Sequence, residues 1–225
     1  MDISRAKDIL DYWFSKGRYE ADYDKWFMKS QDYDEEIKET FGDLLKEAEQ
    51  GKGFHWLHTK DSYVAHIILL DQFSRHIYRG SGDSFKNDNG CMIFADIGWN
   101  MYSKQLKGYE FMFAFMPYMH TENRNYQGSG VNNFENHKNL YGTALQQERP
   151  LTNPRQVSYM GSIDEKTNYD KEYEMLKSME PHVNGHRQTV SRFGRFPKRN
   201  EALGRKSTPQ EINYMQLPEV QKRPY

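Results

Sequence analysis

Apolar residues along most of this chain recur every three or four positions, the spacing that places them on one face of an α-helix. The first stretch with this spacing covers residues 3–14 and ends before Gly17. A second helix is predicted to run to about Gln50, because Asp32 and Glu35 have the spacing of a capping box. The N-terminal part of the chain is therefore predicted to be helical.

The middle of the chain carries the most apolar pattern. The stretch from about Asp61 to Tyr78 is apolar on several sides, so this helix is expected at the centre of the fold. A further helix is predicted over about 87–106, and another over about 109–115 that ends at Pro117. The inward face of the 87–106 helix is predicted to contain Met92, Ile93, Ala95, Ile97, Trp99 and Met101.

The apolar pattern weakens between 124 and 168, where polar residues dominate and only a short helix over 134–145 is plausible. This region is predicted to be a polar, partly ordered surface excursion. Helical spacing returns over 169–179, is interrupted at Pro181 and continues over 182–193. A last helix is predicted after Thr208, which precedes a proline and lies three residues before a glutamate, the pattern of a capped helix start.

No stretch alternates apolar and polar residues as a half-buried strand does. The fold class is therefore predicted to be all-α, with helices paired into a bundle or a helical-hairpin solenoid. With 225 residues, the chain is interpreted as one domain spanning residues 1–225.

Amino-acid composition indicates the cellular environment of the protein more than it indicates the fold. Aromatic residues make up 15% of the chain, which favours a real core despite its polar average composition. Cys91 is the single cysteine, so neither an internal disulfide nor a Cys-rich zinc site is possible. The longest purely apolar run is Phe111–Met116, far too short to cross a bilayer, and the N-terminus lacks the apolar segment of a signal peptide. We expect a cytoplasmic protein with no membrane partner.

The net charge of −1 is unevenly distributed. Residues 1–50 contain fourteen acidic and eight basic residues, whereas residues 186–206 contain seven basic residues and one glutamate. The basic segment either packs against the acidic first helices or recognises an anion, and both can hold. Nucleic acid is a less favoured partner, because the overall charge and the acidic N-terminal third oppose binding to a phosphate backbone.

Three segments carry candidate chemistry. In 69–80, Asp71 and Arg75 are four residues apart and should lie side by side on a helix, next to His76 and Arg79. These groups either form a salt-bridged face or direct the two arginines into a cleft. In 115–123, Pro117 is predicted to present His120 and Glu122 on a turn, as an acid–base pair, as metal ligands with His186, or as structural groups.

The third segment, 186–208, is rich in guanidinium groups, which bind carboxylates and phosphates through two parallel hydrogen bonds. It precedes a helix N-terminus, and such an end is suited to anions. The alternative is that its side chains act as internal struts. The candidate ligand-binding residues of this segment are Arg192, Arg195, Arg199, Asn200 and Arg205.

The order of these blocks resembles a bacterial family of unknown function, domain-of-unknown-function family 924. The blocks read LDQFSRHIYRG, FMPYMHTE and FGRFPKRNEALGRKSTPQE in this chain. The resemblance implies a tetratricopeptide-like helical fold and implies no particular activity. Three positions depart from the family pattern: Ser74 replaces a proline, His76 an asparagine and Lys198 a histidine.

The leading hypothesis is a helical scaffold that binds an anionic small molecule or an acidic peptide in a cleft lined by arginine and histidine, with no cofactor and no resident metal. A second hypothesis is a hydrolase that uses His120, Glu122 and His186 as acid–base groups or metal ligands. A third is a structural module for protein–protein interaction. Motifs for a phosphate loop, a nucleophile elbow or a zinc protease helix are missing from the sequence.

Overall fold

The computed structural model describes residues 1–146 and 166–221. Over those residues the regular structure is helical and contains no strand, which confirms the all-α prediction, and the helices form a single domain. The α-helices are α1 (Arg5–Trp13), α2 (Tyr23–Phe27), α3 (Gln31–Glu49), α4 (Lys60–Ile67), α5 (Ser74–Ile77), α6 (Asp88–Tyr102), α7 (Tyr109–His120), α8 (Arg124–Gln146), α9 (Lys166–Phe193), α10 (Pro209–Met215) and α11 (Pro218–Gln221). Short 3-10 turns lie at Phe54–His58, Gly82–Phe85 and Pro197–Arg199.

One continuous helical segment occupies the centre of the fold. It consists of α4, a π-helical turn over Ile68–Phe73, and α5. All six residues of the π turn are buried, including Asp71 and Gln72. The segment packs against α1, α3, α6 and α7, as its many-sided apolar pattern predicts. π turns are rare in proteins, and those that occur are often found at functional sites. The buried pair of Asp71 and Gln72 is therefore a candidate position for a functional site.

Two prolines predicted to break helices lie inside helices. Helix α7 continues through Pro117 to His120, and α9 continues through Pro181 to Phe193. A proline inside a helix removes one hydrogen bond and crowds the preceding turn, at a cost of about 3 kcal/mol. In α7 this cost is offset by packing, since every residue from Phe111 to Met119 is buried. The predicted helix end at Pro117 and the interruption at Pro181 are therefore wrong.

The predicted polar excursion is also wrong where the structure describes it. Residues 124–146 form the 23-residue helix α8, which packs along α9. Its buried face includes Gln127, Gly130, Phe134 and His137, so the helical spacing is carried by polar and small residues. The short helix predicted over 134–145 lies within α8, and a search for apolar spacing misses only the part before it. Residues 166–168 belong to helix α9, and the rest of the predicted excursion, at 147–165, lies outside the described residues.

The helix starts and faces show one confirmed detail and two errors. Thr208 and Glu211 form the predicted capping box of α10. The predicted cap at Asp32 is wrong, because α3 begins after Ser30, whose side chain accepts a hydrogen bond from the Tyr33 amide. On α6, the residues predicted to point inward include three that are exposed, because the helix buries the opposite face: Ile93, Ile97 and Met101.

Candidate functional site

A cavity of about 420 Å³ lies between α2, the central helical segment, α7 and α9. Arginine and histidine side chains line part of it, and methionine and aromatic side chains line most of the rest. Among the described residues, none of those lining it is an aspartate or a glutamate. The lining residues are Tyr23, Trp26, Phe27, Gln72, Arg75, His76, Arg79, Tyr109, Met112, Met116, Met119, His120, Ser178, Met179, His182 and His186.

The apolar wall comes from α7 and from the first turns of the fold. Met112, Met116 and Met119 have the spacing of one helix face and all line the cavity. Trp26 of α2 packs on Tyr109, at the start of the same helix α7, with ring centroids 4.8 Å apart. Methionine side chains are flexible and polarisable, so this wall can adapt to ligands of different apolar shape.

The polar end is organised around the Asp71 carboxylate, which the π turn places in the interior with no solvent exposure. Nδ1 of His120 lies 2.8 and 2.9 Å from the two Asp71 oxygens and donates to them. Gln72 Nε2 donates to the same carboxylate over 2.5 Å. Burial opposes ionisation of Asp71, but the charge of Arg75 and the bonds to His120 and Gln72 prevail and lower its pKa. The carboxylate is therefore charged at neutral pH.

His120 is held in one orientation and one tautomer by this contact. Since an ionised carboxylate can only accept, the proton of the neutral imidazole lies on Nδ1 and the lone pair lies on Nε2. Burial lowers the pKa of His120 below its usual value of 6.5 and outweighs the opposing effect of Asp71. His120 thus presents a basic nitrogen at neutral pH in a residue that lines the cavity.

A chain of alternating charges leads from this end of the cavity into the third sequence block. Arg75 lies 3.3 Å from the Asp71 carboxylate, on the i,i+4 spacing predicted for them, and also donates to the Asp71 carbonyl. Its other terminal nitrogen lies 3.0 Å from Asp88, whose second oxygen accepts from Arg199 over 2.8 Å. The guanidinium carbon of Arg199 lies 4.5 Å from the ring centroids of both Phe85 and Phe196. The first and third sequence blocks therefore meet, but around a shared carboxylate.

The outer part of the polar end contains Arg79 and His76, which both contact Asp34 of α3. Arg79 donates through Nε and Nη2, over 2.5 and 2.8 Å, and Nδ1 of His76 lies 2.8 Å from the same carboxylate. Burial lowers the pKa of His76. Arg79 keeps 33% of its side-chain surface exposed, so it is the more accessible of the two arginines that line the cavity.

His186 reaches the cavity from α9. Its ring centroid lies 5.9 Å from that of His120, and its Nδ1 donates to the His182 carbonyl over 2.7 Å. Burial lowers the pKa of His186 well below 6.5, so its ring is neutral. His120 and His186 are the two of the three proposed hydrolase residues that the structure brings together.

Glu122, the third proposed hydrolase residue, is directed away from the cavity. It accepts two hydrogen bonds from Arg205, over 2.7 and 3.0 Å, and one from the Phe196 amide. Over the described ranges, no group of three or more histidine, cysteine, aspartate or glutamate residues is arranged to hold a metal ion. The proposed ligand set of His120, Glu122 and His186 does not converge.

The other predicted ligand-binding residues lie outside the cavity lining. Arg195 forms a two-point ion pair with Glu211, over 2.7 and 2.8 Å, and also donates to the Lys206 carbonyl. Asn200 is buried and donates to Ser207 and Glu211. Arg192 is exposed and lies over the Phe193 ring. The geometry of this segment matches the internal-strut alternative.

Sequence reasoning assigned Asp71 to a helix-surface pair and missed the methionine wall. The spacing of Met112, Met116 and Met119 was visible in the chain, but such a stripe is more often core than ligand contact. Only the packing of α2 and α9 around α7 makes these side chains part of one cavity.

Fold and site together define an all-helical protein with a cavity between its helices, lined at one end by arginine and histidine side chains. The chain belongs to the family described as bacterial protein of unknown function, DUF924, whose model matches residues 9–219. Its fold is similar to the solved structure of the protein of unknown function ATU0120 from Agrobacterium tumefaciens. That similarity has 27% sequence identity and a TM-score of 0.67, and covers 95% of this chain and 97% of the other. No curated protein matches the chain. In the described parts of the chain, no helix is long and apolar enough to cross a membrane.

Proposed function

We propose that this protein binds a small amphipathic organic anion, with the apolar part of the ligand against the methionine and aromatic wall and its anionic group at the Arg79 and His120 end. The observation that carries this proposal is the composition of the cavity lining. Cationic and hydrogen-bonding groups line one end, while the partner carboxylates Asp34 and Asp71 are not among the lining residues. An anion in the cavity would therefore contact hydrogen-bond donors, while the carboxylates of Asp34 and Asp71 lie behind those donors.

The donors at this end have capacity left for a ligand. Arg79 uses Nε and Nη2 for Asp34, and no other described residue accepts a hydrogen bond from its Nη1. A guanidinium already held by one carboxylate is rigid, so it loses little conformational entropy when it binds a second anion. We place the anionic group of the ligand against Arg79, with Arg75 as the second cation.

The size of the cavity favours a small molecule over an acidic peptide. Its volume of about 420 Å³ lies within the range of 300–1,000 Å³ that is usual for small-ligand pockets. Buried residues such as Met116 and Trp26 form its inner walls, and the exposed Tyr23 and Phe27 line its solvent-facing part. A short aliphatic or aromatic acid therefore matches this volume better than a peptide of many residues.

Calorimetric titration can test this proposal with 3-phenylpropionate, hexanoate and hexyl phosphate, each compared with its uncharged amide or alcohol. We expect an anion to bind and its neutral counterpart to bind more weakly. The Arg79→Gln variant should lose about tenfold in affinity, because it removes one charged hydrogen bond.

The matched control is Arg195→Gln, since Arg195 also forms a two-point carboxylate pair but lies outside the cavity. Its affinity should equal that of the wild type. Equal binding of anion and neutral counterpart, or an equal loss in both variants, would contradict the proposal.

The helix contacts are also those expected of a tetratricopeptide-like arrangement, which we include in the proposal. Helix α6 packs on α7, α7 on α8, and α8 on α9. Successive pairing of this kind leaves a concave side for a ligand.

A protein–protein interaction module is a second candidate, favoured by one surface feature. Ile93, Ile97 and Met101 form a stripe on α6 and are 55%, 39% and 52% exposed. Contiguous exposed apolar surface often marks an interaction site. A partner that co-purifies with the wild type but is lost in an Ile97→Glu variant would favour this candidate.

A further inference from the structure

We propose that His120, oriented by Asp71, is the general base of a hydrolase acting on carboxylic esters with apolar acyl groups. This inference rests on the proposed function, because the acid released by such a reaction is an amphipathic carboxylate, the ligand class assigned to the cavity. It differs from the hydrolase predicted from the sequence, which used Glu122 and His186 with His120.

The first support is the geometry of the pair. A buried carboxylate that holds Nδ1–H of a histidine fixes the tautomer in which Nε2 is the base, and stabilises the imidazolium that forms when Nε2 takes a proton. Both Asp71 oxygens lie within 2.9 Å of His120 Nδ1. No other described residue hydrogen-bonds to Nε2 of His120, so that nitrogen is available to a molecule in the cavity.

The second support is where the pair lies. Asp71 is on the π-helical turn, where the altered helical repeat places it in the interior rather than on a surface pair with Arg75 alone. A salt bridge that serves only the fold does not need a histidine on its cavity side. Arg75 shares one Asp71 oxygen with His120 and also lines the cavity. It is the cation that would stabilise an oxyanion formed beside His120.

The nucleophile is water, because neither candidate side chain serves. Ser178 lines the cavity but donates its hydroxyl proton to the Met175 carbonyl over 2.7 Å. Cys91 is fully buried and does not line the cavity, and burial raises the pKa of its thiol well above the usual value.

The reaction balances in protons and electrons with water as the co-reactant. His120 Nε2 takes a proton from water as the water oxygen bonds to the acyl carbon. The carbon–oxygen bond to the alcohol then breaks, its electron pair leaves on the alcohol oxygen, and that oxygen takes the proton from Nε2. The products are the alcohol and the acid, which ionises.

The experiment follows hydrolysis of p-nitrophenyl butyrate by the full chain under multiple-turnover conditions, through release of p-nitrophenolate. We expect saturable turnover above the rate in buffer. His120→Gln should lower kcat about a hundredfold or more, the usual contribution of a general base, and change KM little. His55→Gln, which removes an exposed histidine outside the cavity, is the matched control and should behave as the wild type.

Asp71→Asn tests positioning separately from folding. It should lower kcat and shift the acidic limb of the pH profile to lower pH, since the Asp71 carboxylate, together with Asp88, raises the proton affinity of His120 against the effects of burial and Arg75. A purely structural role for Asp71 would leave that limb unmoved.

Butyrate inhibition of the wild type supplies a test that needs no variant at the pair. Butyrate should compete with the ester, and Arg79→Gln should weaken that competition. Turnover that persists in His120→Gln, or a wild-type rate equal to buffer, would overturn the inference. If carboxylates bind in calorimetry while the ester is not turned over, the inference fails and the proposed function stands.

Discussion

Arg79 and Arg195 form nearly the same ion pair in two different surroundings. Each donates from Nε and Nη2 to the two oxygens of one carboxylate, Asp34 or Glu211, and each keeps about a third or a quarter of its side chain exposed. Arg79 lines the cavity, whereas Arg195 lies between α9 and the start of α10. Guanidinium chemistry is the same in both, so only the surroundings separate a candidate ligand contact from a strut.

The comparison extends to the regions that contain them. In the segment 186–208, two of the arginines that contact a carboxylate link distant segments: Arg199 contacts Asp88 and Arg205 contacts Glu122. Arg195 joins the segment to helix α10. At the cavity end, the carboxylates lie behind the arginines and histidines. We conclude that a dense basic motif in the chain can serve mainly to join segments, while fewer basic groups line the cavity in which we propose that a ligand binds.

The largest expected effect comes from Arg199→Met. Arg199 is 6% exposed, and its loss leaves the Asp88 carboxylate with Arg75 as its remaining guanidinium partner. Breaking a buried ion pair from one side costs about 3–5 kcal/mol, and the surviving contact places this case near the lower limit. Urea unfolding should show that loss, whereas Arg192→Gln, at an exposed arginine, should change stability by less than about 0.5 kcal/mol. Equal effects of the two changes would contradict the strut interpretation.

Thr208→Ala should have an intermediate effect. The Thr208 hydroxyl accepts from the Glu211 amide, and the Glu211 carboxylate accepts from the Thr208 amide. Losing an N-cap side chain costs about 1 kcal/mol. Thermal or urea unfolding measures the loss, and Thr208→Ser, which keeps the hydroxyl, should recover most of it. A Thr208→Ala protein as stable as the wild type would show that α10 does not depend on its cap.

The ion pair between Arg195 and Glu211 should also make the free energy of unfolding depend on pH. The hydrogen bond from Arg195 is the main reason that the pKa of Glu211 falls from 4.5 to about 2. Because the folded value is the lower one, this contribution is complete above pH 4.5 and is lost as the pH falls toward 2. The stability difference between wild type and Glu211→Gln should therefore shrink over that interval. A difference independent of pH would mean that Arg195 does not hold the carboxylate in the folded state.

The smallest effect on stability is expected at the cavity. Arg79→Gln breaks a pair that is partly open to solvent, and such pairs contribute about 0–1 kcal/mol. Asp34 keeps its contact with His76. Unfolding of Arg79→Gln should thus differ little from that of the wild type, even though the same variant is expected to lose ligand affinity. A large loss of stability would show that Arg79 stabilises the fold as Arg199 does. The cavity end and the segment 186–208 would then no longer differ in the role of their arginines.

The sequence by itself determined the helical class, the central position of the 61–78 segment and the capping box of α10, because each depends on local spacing and local hydrogen bonds. It also brought Asp71 and Arg75 together, since a helix places i and i+4 side by side. It predicted only the part of helix α8 at 134–145, because the buried face of the first half contains glycine and polar residues, and it ended α7 at Pro117. In both cases tertiary packing offset a weak or unfavourable local preference.

Only the tertiary structure decided which ionisable groups share a cavity and which are joined to internal carboxylates. His120 is 49 positions from Asp71, and Glu122 is 83 from Arg205. No local rule relates residues so far apart in the chain. Their pairing depends on how α7, α9 and the central segment pack, and that packing is driven by apolar burial, which is non-directional and does not specify the partner of a charged side chain.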